Sequence, residues 1–180
     1  MIDARHYFVS DVLTDGTPVI VRAIRSDDRS AVLSAFEDLD RESVYTRFFT
    51  YKNALSEHDL RAITDVEFDR VVALVVMCTP EKDGALIGGG RYAAGADPDA
   101  SKSAELAFVC SEKWRRRGVA SLLFRHLVRI GRERGLSRFE AHVLPQNAAM
   151  LAVFRRSGLP ITTYIDGDTI HVSLSLARTA

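Results

Sequence analysis

The spacing of apolar and polar positions changes several times along the chain, and each change marks an element. Residues 7–13 and 18–25 read as strands on either side of Thr14-Asp15-Gly16, a hairpin signal. Val32, Leu33, Phe36 and Leu39 then follow helical spacing, with Ser26 placed to cap and Asp27-Asp28 in the first turn. Residues 43–49 predict a second short helix. Ser56-x-x-Asp59 is a capping-box variant opening a third, which ends near Thr64. The valine-rich run 70–78 is apolar almost throughout, as in a strand buried on both faces, and 85–92 is its hairpin partner. Residues 93–101, small, polar and proline-containing, predict a loop. After it, strands and helices alternate: strand 102–110, helix 119–134, strand 138–144 and helix 147–157. Two strands, 161–166 and 169–176, close the chain around Gly167. Gly135 and Gly158 sit just past their helices, as helix-terminating glycines do.

Composition narrows the class. The 180 residues suit one domain, with no repeat, low-complexity tract or linker. Hydrophobic residues at 47% and charged residues at 27% are an ordinary globular balance. No apolar run approaches the ~20 residues of a membrane span, and the first residues lack a secretory core, so a cytoplasmic protein is expected. Cys78 and Cys110, each inside an apolar run, read as buried thiols rather than metal ligands.

Net charge is zero, yet it is unevenly placed. Residues 113–138 hold nine Lys or Arg against the single acid Glu133, a net of +8, and the remainder sums to −8. So local a concentration argues for one anion site on an acidic surface and against a nucleic-acid surface. Acids gather at Glu37-Asp38, Asp40 and Glu42, and again at Asp65, Glu67 and Asp69. Either cluster, if it lay beside the active site, would favour a cationic partner.

The centre of the basic segment is Arg115-Arg116-Arg117-Gly118-Val119-Ala120, between a strand and a helix. Unpaired N–H groups and the dipole at a helix start favour a phosphate there. Gly88-Gly89-Gly90-Arg91-Tyr92-Ala93 fits G-x-G-x-x-A after a strand. No helix can follow easily, so a dinucleotide fingerprint is rejected.

Glu105-Leu-Ala-Phe-Val-Cys, the turn from Trp114 to Ala120, Val143-Leu-Pro-Gln-Asn147 and the segment Met150 to Gly158 together resemble the GNAT superfamily of N-acetyltransferases. Its acyl-CoA loop, Arg/Gln-x-x-Gly-x-Gly/Ala, is matched by residues 115–120. Val21 to Arg25, Ser43 to Phe49, Leu55-Ser56 and Asp69-Arg70 look like one branch, the acetyltransferase domain of bacterial Pat-type protein lysine acetyltransferases. The acyl-CoA-synthetase-like or cyclic-nucleotide-binding regions of some members find no room in this sequence.

The resemblance implies an α/β fold: a mixed sheet of about seven strands, flanked by helices, whose parallel central strands splay around acetyl-CoA. It implies cofactor contacts at Phe108, Val109 and Cys110, a pyrophosphate on Arg115, Arg116, Arg117, Gly118, Val119 and Ala120, and a pantetheine contact from Asn147, itself a good N-cap. Arg125, Arg129 and Arg132 are candidates for the outer phosphates. Glu105 is a carboxylate out of pattern in an apolar strand, facing with Ala107 and Val109 away from Leu106, Phe108 and Cys110. The resemblance makes it the general base for a lysine ammonium, and a base working near neutrality calls for partial burial. Tyr45, Arg47 and His142 are candidate acceptor contacts. Many relatives carry a tyrosine seven residues after the asparagine. Phe154 stands there and can donate no proton. The expected function is therefore acetyl-CoA-dependent acetylation of protein lysine without a metal, by a monomer or homodimer. A small amine as acceptor, and a non-catalytic acyl-CoA-binding module, are the alternatives.

Overall fold

The computed structural model of the chain describes residues 2–48, 52–95 and 102–177, and the side chains of all these except 45–48. Phe49, at the end of the expected second helix, and most of the expected loop 93–101 lie outside the described residues. Among the described residues eight strands form one sheet in the order β1-β2-β3-β4-β5-β6-β8-β7, the eight that the apolar pattern lays out, where the resemblance implied about seven. They are β1 Phe8–Val12, β2 Pro18–Ala23, β3 Val71–Cys78, β4 Leu86–Ala94, β5 Ser103–Cys110, β6 Arg138–Val143, β7 Ile161–Asp166 and β8 Thr169–Ser175. Every neighbouring pair is antiparallel except β5 and β6.

Five α-helices flank the sheet: α1 Arg29–Glu37, α2 Arg41–Phe48, α3 Glu57–Thr64, α4 Val119–Glu133 and α5 Ala148–Arg156. α4 buries Leu123, Leu127 and Ile130 completely and lies along β3, β4 and β5. Its apolar positions recur every three to four residues, so a single stripe meets the sheet. α1 and α3 cover β3, β4 and β5 from the opposite face. Ser56 and Asp59 form the expected capping box, each side chain accepting from the other's backbone N–H. No helix among the described residues is long and apolar enough to cross a membrane.

The first helix starts later than its sequence suggests. Ser26–Asp28 form a 3-10 turn, and Ser26 does not cap it. The buried Asp28 carboxylate accepts from both terminal nitrogens of Arg22, at 2.8 and 2.6 Å, and from the Arg25 N–H at 2.8 Å. That paired carboxylate holds the turn tight and delays α1 to Arg29. Leu33 consequently points outward, 39% exposed, while Val32 and Phe36 face the core.

The three glycines of β4 serve packing. A Cβ on Gly88 would lie 2.6 Å from Val119 Cγ1, and one on Gly90 would lie 2.8 Å from the Phe108 ring and 3.3 Å from Leu123 Cβ. Their bareness lets α4 sit close to the sheet. Gly89 faces the other way, where a Cβ would meet Leu74 and Val109 at an ordinary 3.7 Å. β4 leads through a strand pairing into β5, not into a helix, which disposes of the dinucleotide reading.

Candidate active site

β5 is paired on one edge and half-free on the other. It ladders with β4 from Ala104 to Cys110, but with β6 only from Ser103 to Glu105. The Ser111 N–H donates to the Ile87 carbonyl at 2.9 Å, which sets the phase of the antiparallel ladder. Residues 105, 107, 109 and 111 therefore turn their backbone groups to β4, and Leu106, Phe108 and Cys110 turn theirs into the gap. The gap is a cleft of about 290 Å³, open to solvent, between β5 and the β6–α5 segment. Phe108, Phe124 and Phe154 pack edge to face beneath it, with ring centroids 5.3–6.3 Å apart. These rings fill the space that closed strands would need.

Phe108 lines the cleft, whereas Cys110 turns its backbone to the same edge without lining it. Val109 differs: its backbone faces β4 and its side chain lines a second cavity on the opposite face. Burial pushes the Cys110 thiol up to about 11, as for an inert thiol. The Asn147 side-chain carbonyl accepts from the Met150 N–H at 3.1 Å, capping α5, and Asn147 also lines the cleft. Phe154, 1% exposed, lies at the cleft's edge without a hydroxyl.

The turn between β5 and α4 is held from outside. Arg116 and Gly118 take φ of 62° and 86°, so successive N–H groups can converge before α4 begins at Val119. Thr14, at the tip of the β1–β2 hairpin, donates to the Arg117 carbonyl from its N–H at 3.1 Å and its Oγ1 at 2.8 Å. A Cβ on Gly118 would lie 2.7 Å from the Thr14 methyl group. The glycine is thus required both by backbone angle and by this clamp.

The arginines of the turn are divided in use. Arg115 donates to Asp40 Oδ2 at 3.0 Å and to the Ser43 hydroxyl. Arg117 stacks over Trp114 at 4.7 Å and lies 3.7 Å from Asp15. Arg116 is exposed and has no ion pair among the described residues. Lys113 reaches Asp38 at 3.5 Å. Farther along α4, Arg125 pairs with Asp11 at 2.8 Å, Arg129 lies against Tyr7, and Arg132 Nε donates to the Leu176 carbonyl at 2.9 Å. These three are engaged by the N-terminal and C-terminal segments of the chain. Five of the nine basic residues, Lys113, Arg115, Arg117, Arg125 and Arg138, pair with acids outside the segment, at the partly exposed surface. The image of one anion site on an acidic surface gives way to that pairing.

Glu105 is exposed, contrary to the expected partial burial. It stands where β5 parts from β6, on the sheet face away from α4. The helices there cover β3 to β5 farther along and leave this end open. Arg91 shares that face on β4. Burial pushes its guanidinium below its ordinary value, and the Glu105 charge opposes this. Directly across from Glu105 in the parallel register stands Glu140. Glu140 meets Arg138 Nε at 2.6 Å and His171 Nε2 at 3.1 Å, and accepts from the Ser173 hydroxyl at 3.3 Å. His142 lines the cleft and lies edge-on to His171 at 5.0 Å. Tyr164 stacks on His171 at 4.6 Å. Sequence reasoning missed Arg91, Glu140 and His171. Arg91 carried the same signal as Glu105, a charge inside an apolar strand, and the rejected glycine pattern drew attention from it. Glu140 and His171 carried none, because strand pairing alone brings them together. Tyr45 and Arg47 lie on α2, with side chains outside the described residues.

Comparison with known proteins fits this geometry. The sequence profile of the Acetyltransferase (GNAT) family matches residues 33–159. The GNAT domain of S. lividans PAT superposes with a TM-score of 0.84 at 32% identity, over 93% of this chain and 96% of that one. An acetyltransferase of Pseudomonas aeruginosa is 24% identical over 152 residues, 83% of this chain and 77% of that protein. The fold also matches yncA of Salmonella typhimurium, solved with its cofactor acetyl-CoA. That match has a TM-score of 0.71 at 15% identity, over 90% of this chain and 96% of that one.

Proposed function

The chain belongs to the Acetyltransferase (GNAT) family, and on that premise we propose that it carries the acetyl group of acetyl-CoA to the ε-amine of a protein lysine, with Glu105 as general base. The residues of the cleft fit the co-substrate. Pantetheine amides find unpaired backbone at Phe108 and Cys110, and the pyrophosphate finds the N–H groups from Arg116 to Ala120, with Arg116 as the exposed charge. Asn147 borders the same slot.

Glu105 takes a proton from the acceptor ammonium. The freed amine nitrogen attacks the thioester carbonyl carbon, a C–N bond forms, and the C–S bond breaks. The nitrogen gives up its second proton to solvent as the amide forms, and CoA departs as a thiolate that takes its proton from solvent, since Phe154 has none to give. The observation that carries this reading is the position of Glu105, which lines the cleft at the point where the strands part. Its carboxylate draws a cation, while Arg138 and His171 already meet the carboxylate of Glu140. The protein acceptor draws further on the 32% identity with the S. lividans PAT domain.

Thiol release from acetyl-CoA, measured with lysine peptides and with small amines, tests the reading. Glu105→Gln is expected to lower kcat by about 10²–10⁴-fold, with acetyl-CoA binding unchanged. Undiminished turnover in that variant removes Glu105 as base. Release with small amines alone moves the acceptor class away from protein lysine.

A further inference from the structure

We propose that the second cavity, under α1 and α3, receives the hydrocarbon tail of acyl-CoA molecules longer than acetyl-CoA. The inference rests on the acyl-CoA reading of the cleft and extends its substrate class. The cavity, of about 90 Å³, lies on the face of the sheet opposite α4 and opens to solvent. Val32, Ala35 and Phe36 of α1 and Ile63 of α3 form its roof, and its floor is the β3–β5 surface. Its bordering stretch of β4, from Leu86 to Arg91, spans about 16 Å at strand rise.

Three observations select the occupant. The cavity adjoins the cleft: Arg91 and Ala107 line both. Small residues keep it open, since Gly89 places no side chain where a Cβ would meet only ordinary contacts, and Ala35, Ala73 and Ala107 place one carbon each. Its lining is apolar apart from Ser111 and Arg91, and Arg91 is a cation. A lysine ammonium is repelled by that charge and has no carboxylate to meet there. A neutral, flexible chain entering past Ala107 meets only hydrocarbon. Transfer of such a chain makes and breaks the same C–N and C–S bonds as acetyl transfer.

Calorimetry on the full chain tests this without knowledge of the acceptor. The probes are CoA, acetyl-CoA, butyryl-CoA, hexanoyl-CoA and octanoyl-CoA. Each buried methylene can tighten binding by up to about fourfold, and hexanoyl-CoA is expected to bind at least about tenfold tighter than acetyl-CoA. Gly89→Val from the floor and Ala35→Leu from the roof fill the cavity. Each is expected to abolish the gain for longer chains while leaving acetyl-CoA affinity within about twofold. Melting curves show that a variant is folded, and either variant alone suffices. If acetyl-CoA binds the wild type and hexanoyl-CoA binds no tighter, the proposal is overturned and the acetyl-CoA reading stands. Retention of the gain in both filled variants overturns it as well. A raised KM for lysine peptide in both, with chain preference unmoved, assigns the cavity to the acceptor instead. Failure of acetyl-CoA itself to bind removes the earlier reading and this one together.

Discussion

Strand β5 has two unlike faces. Toward α4 it presents Leu106, Phe108 and Cys110, and Phe108 meets Phe124 and Phe154 in a closed aromatic cluster. Away from α4 it presents Glu105, Ala107 and Val109, over a cavity and an open sheet end. The same strand is therefore packed on one side and loose on the other. The packed face holds the strands apart and shapes the cofactor slot. The loose face carries small residues and one carboxylate beneath α1 and α3, whose buried Val32 and Leu60 still pack against the core.

Substitutions on the packed side should cost stability in a graded way. Phe154→Ala removes a side chain 1% exposed from the centre of the cluster, and should cost about 3–5 kcal/mol in denaturant unfolding. A loss under 1 kcal/mol on the order expected for a surface site would deny that the cluster props the cleft. The next contrast lies between neighbours on β4. Gly88→Ala drives a methyl group to 2.6 Å from Val119 and should cost about 1–3 kcal/mol. Gly89→Ala points into the cavity and should stay within about 0.5 kcal/mol of wild type. Equal effects at the two positions would erase the distinction between the faces.

The smallest effect is pH-dependent. His126 of α4 is 5% exposed, accepts or donates a 2.6 Å hydrogen bond with the Tyr7 hydroxyl, and lies 3.1 Å from Asp11. Burial pushes its imidazole below the ordinary value, against the opposing pull of Asp11. An unfolded chain binds a proton near about pH 6.5, while the fold does not until lower pH. Stability from this group is therefore complete above about pH 6.5 and declines as the pH falls through the window below it. Melting temperatures taken from pH 7.5 to pH 5.5, about one unit to each side, should decline on the acid side, and His126→Gln should flatten that decline. Acid should loosen the packed layer by this route while leaving the Glu105 face in place.

Much of the fold is legible in local pattern. The α3 capping box, the valine-rich β3 and the amphipathic α4 each state themselves within a few residues, because capping and periodic burial are local constraints. The site was legible where its chemistry was out of place: a carboxylate in β5 and arginines before a helix. Ser26 misled because the partner that set the helix start, Arg22, works through a buried ion pair across a turn. The basic segment misled in a similar way. Its charge could be counted, but Asp11, Asp38 and Asp40, which pair with part of it, come from 75 to 114 residues away, beyond the span of any local motif.

By itself the sequence determined the order of elements, the arginine-rich turn before α4 and the out-of-pattern carboxylate of β5, all carried by residues near one another along the chain. Only the tertiary structure decided which arginine of the loop stays free, that Glu105 is exposed and faces Glu140, and that a second cavity opens beside the cleft. Those depend on which strands pair, in what register, and how close a helix can come to a glycine. Such facts arise from contacts between distant segments, and no single stretch of chain contains them.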